Sequence, residues 1–179
     1  MSDFDYIIVG AGSSGCVLAN RLSADPAIRV LLIEAGSGRP DHPFIAMPRG
    51  LAKIMANARY LWPFMTKPEK WLNNVAEAWV RGRVLGGSSA VNGMVYNRGS
   101  APDFDAIAQI SGEDWAWDKV SQAYRQMEAH ELGPADSRGA NGPLRISMPE
   151  VCSEMTEAII AAGESMGLER VEDVNDPED

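Results

Sequence analysis

The 179-residue chain carries a net charge of −9, with 45% apolar and 23% charged residues, the balance of a globular protein with a real core. The acidic excess argues against nucleic acid or an anionic membrane surface as a partner. No apolar run reaches the roughly 18 residues that would predict a transmembrane helix. The N-terminus passes straight into a strand-like run without the basic and apolar regions of a signal peptide, which predicts a cytoplasmic protein.

That first run, Tyr6-Ile7-Ile8-Val9, is made of strand formers of the kind buried in a parallel sheet. Gly10-Ala11-Gly12-Ser13-Ser14-Gly15 follows at once with the G-x-G-x-x-G spacing. Cys16, Val17, Ala19 and Leu22 then give one apolar helix face, and Asp25-Pro26 is expected to end that helix. Val30-Leu31-Leu32-Ile33 is a second strand, with Glu34 at its end. Each part has a physical job. Gly10 allows the tight turn, Gly12 lets a pyrophosphate approach the backbone, and Gly15 lets the helix lie close on the strand. Free N–H groups and the macrodipole at the helix start favour the negative charge. Glu34 can accept hydrogen bonds from ribose hydroxyls and disfavours a 2′-phosphate, which argues against NADP. The fingerprint leaves FAD and NAD open.

Past Glu34 the pattern changes. Ala35 to Pro40 is loop, and Met47 to Asn57 could form a short helix. Tyr60 to Phe64 is an aromatic strand that either approaches a flat ligand or forms a core cluster. Trp71 to Ala78 is connection. Val80 to Leu85 is strand-like and carries Arg81 and Arg83. Gly86-Gly87-Ser88-Ser89 is a second glycine turn, and Ala90 to Val95 continues small and then apolar. Adjacent glycines let the backbone run close against something, and the serines can cap a helix or bond a ligand. The alternative is a hairpin turn.

The rest reads as supporting structure. Helices are expected over Pro102 to Ile110, Trp117 to Glu131 and Val151 to Met166, with a strand over Leu144 to Met148. Leu132 to Pro143 is loop, and Leu168 to Asp179 is acidic and without an element. Met155, Ile159, Ala162 and Met166 should form a packing stripe. His42 and His130 read as surface or capping residues, His130 at a helix end. Cys16 reads as a small buried hydrophobe, and the two cysteines, Cys16 and Cys152, have neither disulfide-framework nor zinc spacing.

Gly82-Arg83-Val84-Leu85-Gly86-Gly87-Ser88-Ser89-Ala90-Val91-Asn92-Gly93-Met94-Val95-Tyr96-Asn97-Arg98-Gly99 resembles the first signature of the glucose–methanol–choline (GMC) oxidoreductases, FAD-dependent alcohol dehydrogenases and oxidases. The N-terminal fingerprint, the run from Leu31 to Gly36 and Asp114-Trp115-Ala116-Trp117-Asp118 are similar to the same family, nearest to its choline dehydrogenase-like branch. The resemblance implies an α/β, FAD-binding Rossmann-like fold, the N-terminal portion of a larger two-domain enzyme. It divides the chain into a βαβ start (1–36), a continuation of the FAD-binding domain (37–149) and the start of a substrate domain or linker (150–179).

The resemblance also implies roles. Gly10, Gly12, Ser13, Ser14 and Gly15 would hold the FAD pyrophosphate, and Glu34 with Ala35 the adenosine ribose. Arg83 and Val84 would approach the cofactor. Gly87, Ser88, Asn92, Gly93, Met94 and Val95 would lie along the flavin, where main-chain N–H groups stabilise charge on the reduced ring. Some relatives attach the flavin to a histidine at the position of Val91, so FAD is expected to be non-covalent here. The implied reaction is oxidation of an alcohol to an aldehyde, with hydride passing to flavin N5. No catalytic residue is assigned in this chain. The catalytic histidine is expected on the missing C-terminal part, a complementary chain of the same enzyme. The alternative is a nucleotide-binding fragment without catalysis.

Overall fold

The structure is a computed structural model that describes residues 3–36, 42–55, 57–149 and 153–176; Cys152 lies outside them. The chain forms two compact units, Met1–Val95 and Tyr96–Asp179. That division is by compactness. The motif-based division into 1–36, 37–149 and 150–179 is by cofactor role, which compactness does not address.

In the first unit, β1 (Tyr6–Val9), α1 (Ser13–Leu22) and β2 (Val30–Ile33) form the expected βαβ start. The strands pair in parallel, from Tyr6 with Val30 to Val9 with Ile33. α1 ends at Leu22, before Asp25-Pro26; the Ser23 N–H donates to the Ala19 carbonyl at 3.0 Å, and the Ala24 N–H closes a tighter turn on the Arg21 carbonyl at 3.4 Å. Contrary to the reading of a buried strand, Ile7 is 61% and Val9 83% exposed. Among the described residues the sheet has two strands, so one edge and much of both faces of β1 are uncovered. Cys16 is half-buried, and its Sγ donates to the Ala11 carbonyl at 3.2 Å.

α2 (Pro43–Ala46) comes first, and the stretch from Met47 to Asn57, expected to form one short helix, is split into a 3-10 turn (Pro48–Gly50) and α3 (Leu51–Ile54). β3 (Leu61–Met65) and β4 (Ala78–Gly82) follow as an antiparallel ribbon, with Leu61 opposite Gly82 and Met65 opposite Ala78. The core of the unit is small. Ile54, Tyr60 and Val84 are buried together, with Ile45, Ala90 and Val91 packed against them.

The second unit contains α4 (Ala101–Ser111), α5 (Trp117–Met127), β5 (Glu128–His130), β6 (Leu144–Ile146) and α6 (Glu154–Ser165). Ser100 caps α4 by accepting the Asp103 N–H, and Ser153 caps α6 by accepting the Thr156 N–H. Each cap satisfies a donor the helix leaves free. Phe104 stacks on Trp117, and both meet Tyr124, so α4 and α5 are joined through aromatic rings. Two expectations fail here. The helix expected to reach Glu131 ends at Met127, because Glu128 turns into an extended conformation and pairs with β6. The α6 stripe is open: Met155 is 74%, Ile159 67% and Met166 81% exposed.

Among the described residues no helix is long and apolar enough to cross a membrane.

Candidate functional site

The two glycine motifs, separated by some seventy residues, meet in the first unit. Gly10 turns the chain out of β1 at φ 97°, a conformation that glycine adopts without strain, and its N–H donates to the Ile33 carbonyl at 2.8 Å. Gly12 is the N-cap residue of α1. Gly15 faces back onto the turn, where a Cβ would overlap the Gly10 carbonyl oxygen. The second turn then seats on the first. Gly86 donates its N–H to the Ala11 carbonyl at 2.8 Å. Gly87, at φ 57°, packs on Gly12 so closely that a Cβ would stand 2.7 Å from the Gly12 Cα. Ser13 and Ser89 share a hydrogen bond between their hydroxyls.

Glu34 braces this arrangement. One carboxylate oxygen accepts the Ala11 N–H and the other the Gly36 N–H, both at 2.8 Å. The carboxylate therefore ties the glycine turn to the end of β2. Each oxygen keeps lone-pair capacity for a further donor such as a ribose hydroxyl. Gly36 in turn lies against the main chain of Arg83, leaving no room for a Cβ.

Other residues named from the sequence take different places. Ser14 and Ala35 are exposed, beside the first turn and the end of β2. Val84 is fully buried in the core, where it seats the second turn. The Ser88 hydroxyl accepts the Gly82 N–H at 3.1 Å, so it closes its own turn. Asn92 accepts the Met94 N–H through Oδ1 at 3.0 Å and holds Met94 at φ 58°, a region that costs a non-glycine residue about 1–3 kcal/mol and clusters at functional sites. Met94 and Val95 are exposed. A cavity of about 290 Å³ opens beside this segment, lined by Phe44, Ile45, Ile54, Ala90, Val91 and Met94.

Sequence reasoning passed over Ala11, and it named Trp62 only as part of the aromatic strand from Tyr60 to Phe64, without its partner Arg83. Ala11 is fully buried and bonds both Glu34 and Gly86; its position between two glycines was the available signal. Trp62 lies under the Arg83 guanidinium, 4.5 Å from ring centroid to Cζ.

The histidines are engaged elsewhere. His42 caps α2, accepting the Phe44 N–H through Nδ1 at 3.2 Å, as a capping residue should. His130, expected at an exposed helix end, is instead buried in β5 with its Nε2 3.6 Å from Asp173. Its neighbour Glu128 is fully buried, accepting from the Tyr96 hydroxyl, from Arg98 and from the Gly139 N–H. Burial, and then the hydrogen bond to Glu128, push Tyr96 up to about 12. Burial works against the Arg98 charge, but its bonds to Glu128 and Tyr96 outweigh that and hold it above its ordinary value.

The residues fit a dinucleotide. Open space, with nothing inside 4 Å of an added Cβ, lies over Gly10, Gly12 and Gly93, and the buried Nε of Arg83 has no hydrogen-bond partner among the described residues. The sequence pattern of the GMC oxidoreductase family matches residues 4–179. An oxygen-dependent choline dehydrogenase 1 of Chromohalobacter salexigens is 44% identical over 178 residues, 97% of this chain and 31% of that protein. The crystal structure of pyridoxine 4-oxidase from Mesorbium loti superposes with a TM-score of 0.87 at 40% identity, over 95% of this chain and 33% of that one. A formate oxidase of Aspergillus oryzae RIB40, described for modification of its FAD, superposes at 0.84 and 31% identity, over 97% of this chain and 32% of that one. The chain thus spans about a third of the length of each of these relatives.

Proposed function

The chain belongs to the GMC oxidoreductase family, and from that premise we propose that it is the FAD-binding part of an enzyme that oxidises an alcohol to an aldehyde. The observation that carries this reading is the seating of Gly87 on Gly12. It joins a phosphate-binding turn to a second backbone surface that a nucleotide-only module would not need. Two of the three named relatives are named for choline and pyridoxine, both alcohols; the third is named for formate, and FAD is the group modified in it.

When bound, FAD supplies the acceptor N5 to which hydride passes from the carbinol carbon. The chain's own residues bind and orient. Gly12, Ser13, Ser14 and Gly15 present the free N–H groups at the start of α1 to the pyrophosphate, and Gly10 keeps the approach clear. Glu34, with Ala35 beside it, accepts the ribose hydroxyls on the lone pairs its two backbone bonds leave unused. Arg83 and Val84 form the near side of the second motif. Gly87, Ser88, Asn92 and Gly93 shape the wall that carries Met94 and Val95 toward the flavin, with the Asn92–Met94 bond setting main-chain direction. Val91 packs in the core and carries no nucleophilic atom, which supports non-covalent FAD.

The proton of the alcohol hydroxyl goes to a base outside this chain. His42 is committed to a helix cap and His130 to Asp173, so neither is assigned that role. The base belongs to the complementary C-terminal part, consistent with relatives about three times as long. The cytoplasmic location is part of the same reading, and fractionation of cells producing the full-length protein checks it.

The deciding experiment is intact-mass analysis of purified full-length protein with a visible spectrum before and after acid precipitation. Yellow colour released into the acid supernatant, with alcohol-dependent bleaching beforehand, supports the reading. Colour kept in the pellet overturns the non-covalent assignment. A colourless protein that takes up no added FAD overturns the reading as a whole.

A further inference from the structure

One face of the β3–β4 ribbon carries rings and cations. Trp62 stands opposite Arg81 and Phe64 opposite Trp79, and the alternation of side chains along each strand puts all four on one face. Arg83 follows just past β4. Its main chain is fixed twice: the N–H donates to the Tyr60 carbonyl at 2.7 Å, and the carbonyl is pressed against Gly36. Its guanidinium lies over the Trp62 ring, and Phe64 stacks beyond Trp62 at 6.1 Å with 15° between the ring planes.

The ring satisfies the cation through its face, but not the N–H groups in the guanidinium plane. Nε is buried and lacks an acceptor among the described residues. A buried donor of that kind is costly unless something supplies an oxygen. The Arg83 carbonyl lies against Gly36, two residues beyond Glu34, so the Arg83 main chain stands at the end of the site assigned to the adenosine ribose.

We propose that Trp62 is a positioning residue: its indole holds the Arg83 guanidinium so that Arg83 donates an N–H to an oxygen of the adenosine half of the dinucleotide. This rests on the FAD reading above. Without the ring, the long arginine side chain would have to be ordered by the ligand itself, and binding would weaken by that cost.

The test titrates the apo form of the full-length protein with FAD, and separately with ADP as a probe of the adenosine half, at low and raised salt. R83M and W62L should each weaken ADP binding about tenfold, the scale of a hydrogen bond from a charged group. Both should flatten its salt dependence, since the same charge is lost from the contact. The double variant should be no weaker than either single one. W62F, which keeps a smaller π-face, should cost about threefold with Arg83 present and nothing in the R83M background; this arm decides the matter should W62L fail to fold.

Wild-type ADP affinity in R83M overturns the proposal. So do losses that multiply in the double variant, or a W62L loss that keeps the wild-type salt slope, which would mark a merely structural role. If the wild-type protein binds FAD while R83M binds ADP unchanged, only this proposal fails. If the wild type binds neither, the FAD reading fails and takes the proposal with it.

Discussion

Gly87 lies against Gly12, with 2.7 Å between the Gly12 Cα and the place a Gly87 Cβ would occupy. The two turns therefore act as one surface, and Gly87 tolerates no side chain at the join, whereas the Cβ direction of Gly12 stays open. Gly87→Ala meets this contact and also a φ of 57°. The expected result is loss of about 1–3 kcal/mol of stability, the range for overpacking, together with most of the bound flavin. Thermal unfolding and the flavin-to-protein absorbance ratio of the purified variant check it; retained flavin at wild-type stability would show that the join yields.

The Glu128–Arg98 pair should dominate the stability of the second unit. Glu128 is fully buried and the Arg98 side chain is 4% exposed. Glu128→Gln removes the negative charge and leaves the guanidinium buried without its partner. Breaking such a pair costs about 3–5 kcal/mol. Urea unfolding of the variant against wild type measures it, and a change under about 1 kcal/mol would mean that the pair is solvated.

Tyr96 gives a signature at alkaline pH. Burial and the Glu128 bond raise it from 10.0 to about 12, so between those values the folded protein holds a proton that the unfolded chain has released. Stability from this group is complete below pH 10 and falls as pH rises toward about 12. Tyr96→Phe removes that slope. Unfolding free energies of wild type and variant should therefore converge as pH rises through this window, and parallel curves would contradict the assignment.

Asn92 serves Met94. Asn92→Ala removes the acceptor that holds the Met94 N–H, and the left-handed backbone at Met94 then loses its local support. We expect a stability loss of about 1 kcal/mol and weaker flavin retention. Asn92→Asp keeps an acceptor oxygen and should retain the geometry. Flavin titration of the three proteins separates these outcomes.

Much of the first unit was legible from local pattern. The spacing of Gly10, Gly12 and Gly15 after four strand formers specifies a strand, a turn and a helix, because backbone freedom and side-chain period act over a few residues. The Gly86-Gly87 pair announced a close approach, without saying to what. Local pattern also placed α4, α5 and β6 to within a few residues.

The remaining assignments depended on contacts between distant positions. Only the fold brings Gly87 to Gly12, aims Glu34 at the Ala11 and Gly36 amides, and lays Arg83 over Trp62. α5 stops at Met127 because Glu128 is drawn to Arg98 and Gly139, partners that no helical period encodes. His130 is buried because Asp173 reaches it from a stretch that has no element of its own. The α6 stripe has a helical period, yet it stays exposed among the described residues. Periodicity determines that a helix forms and which side is apolar; what covers that side is decided by chain far away in sequence.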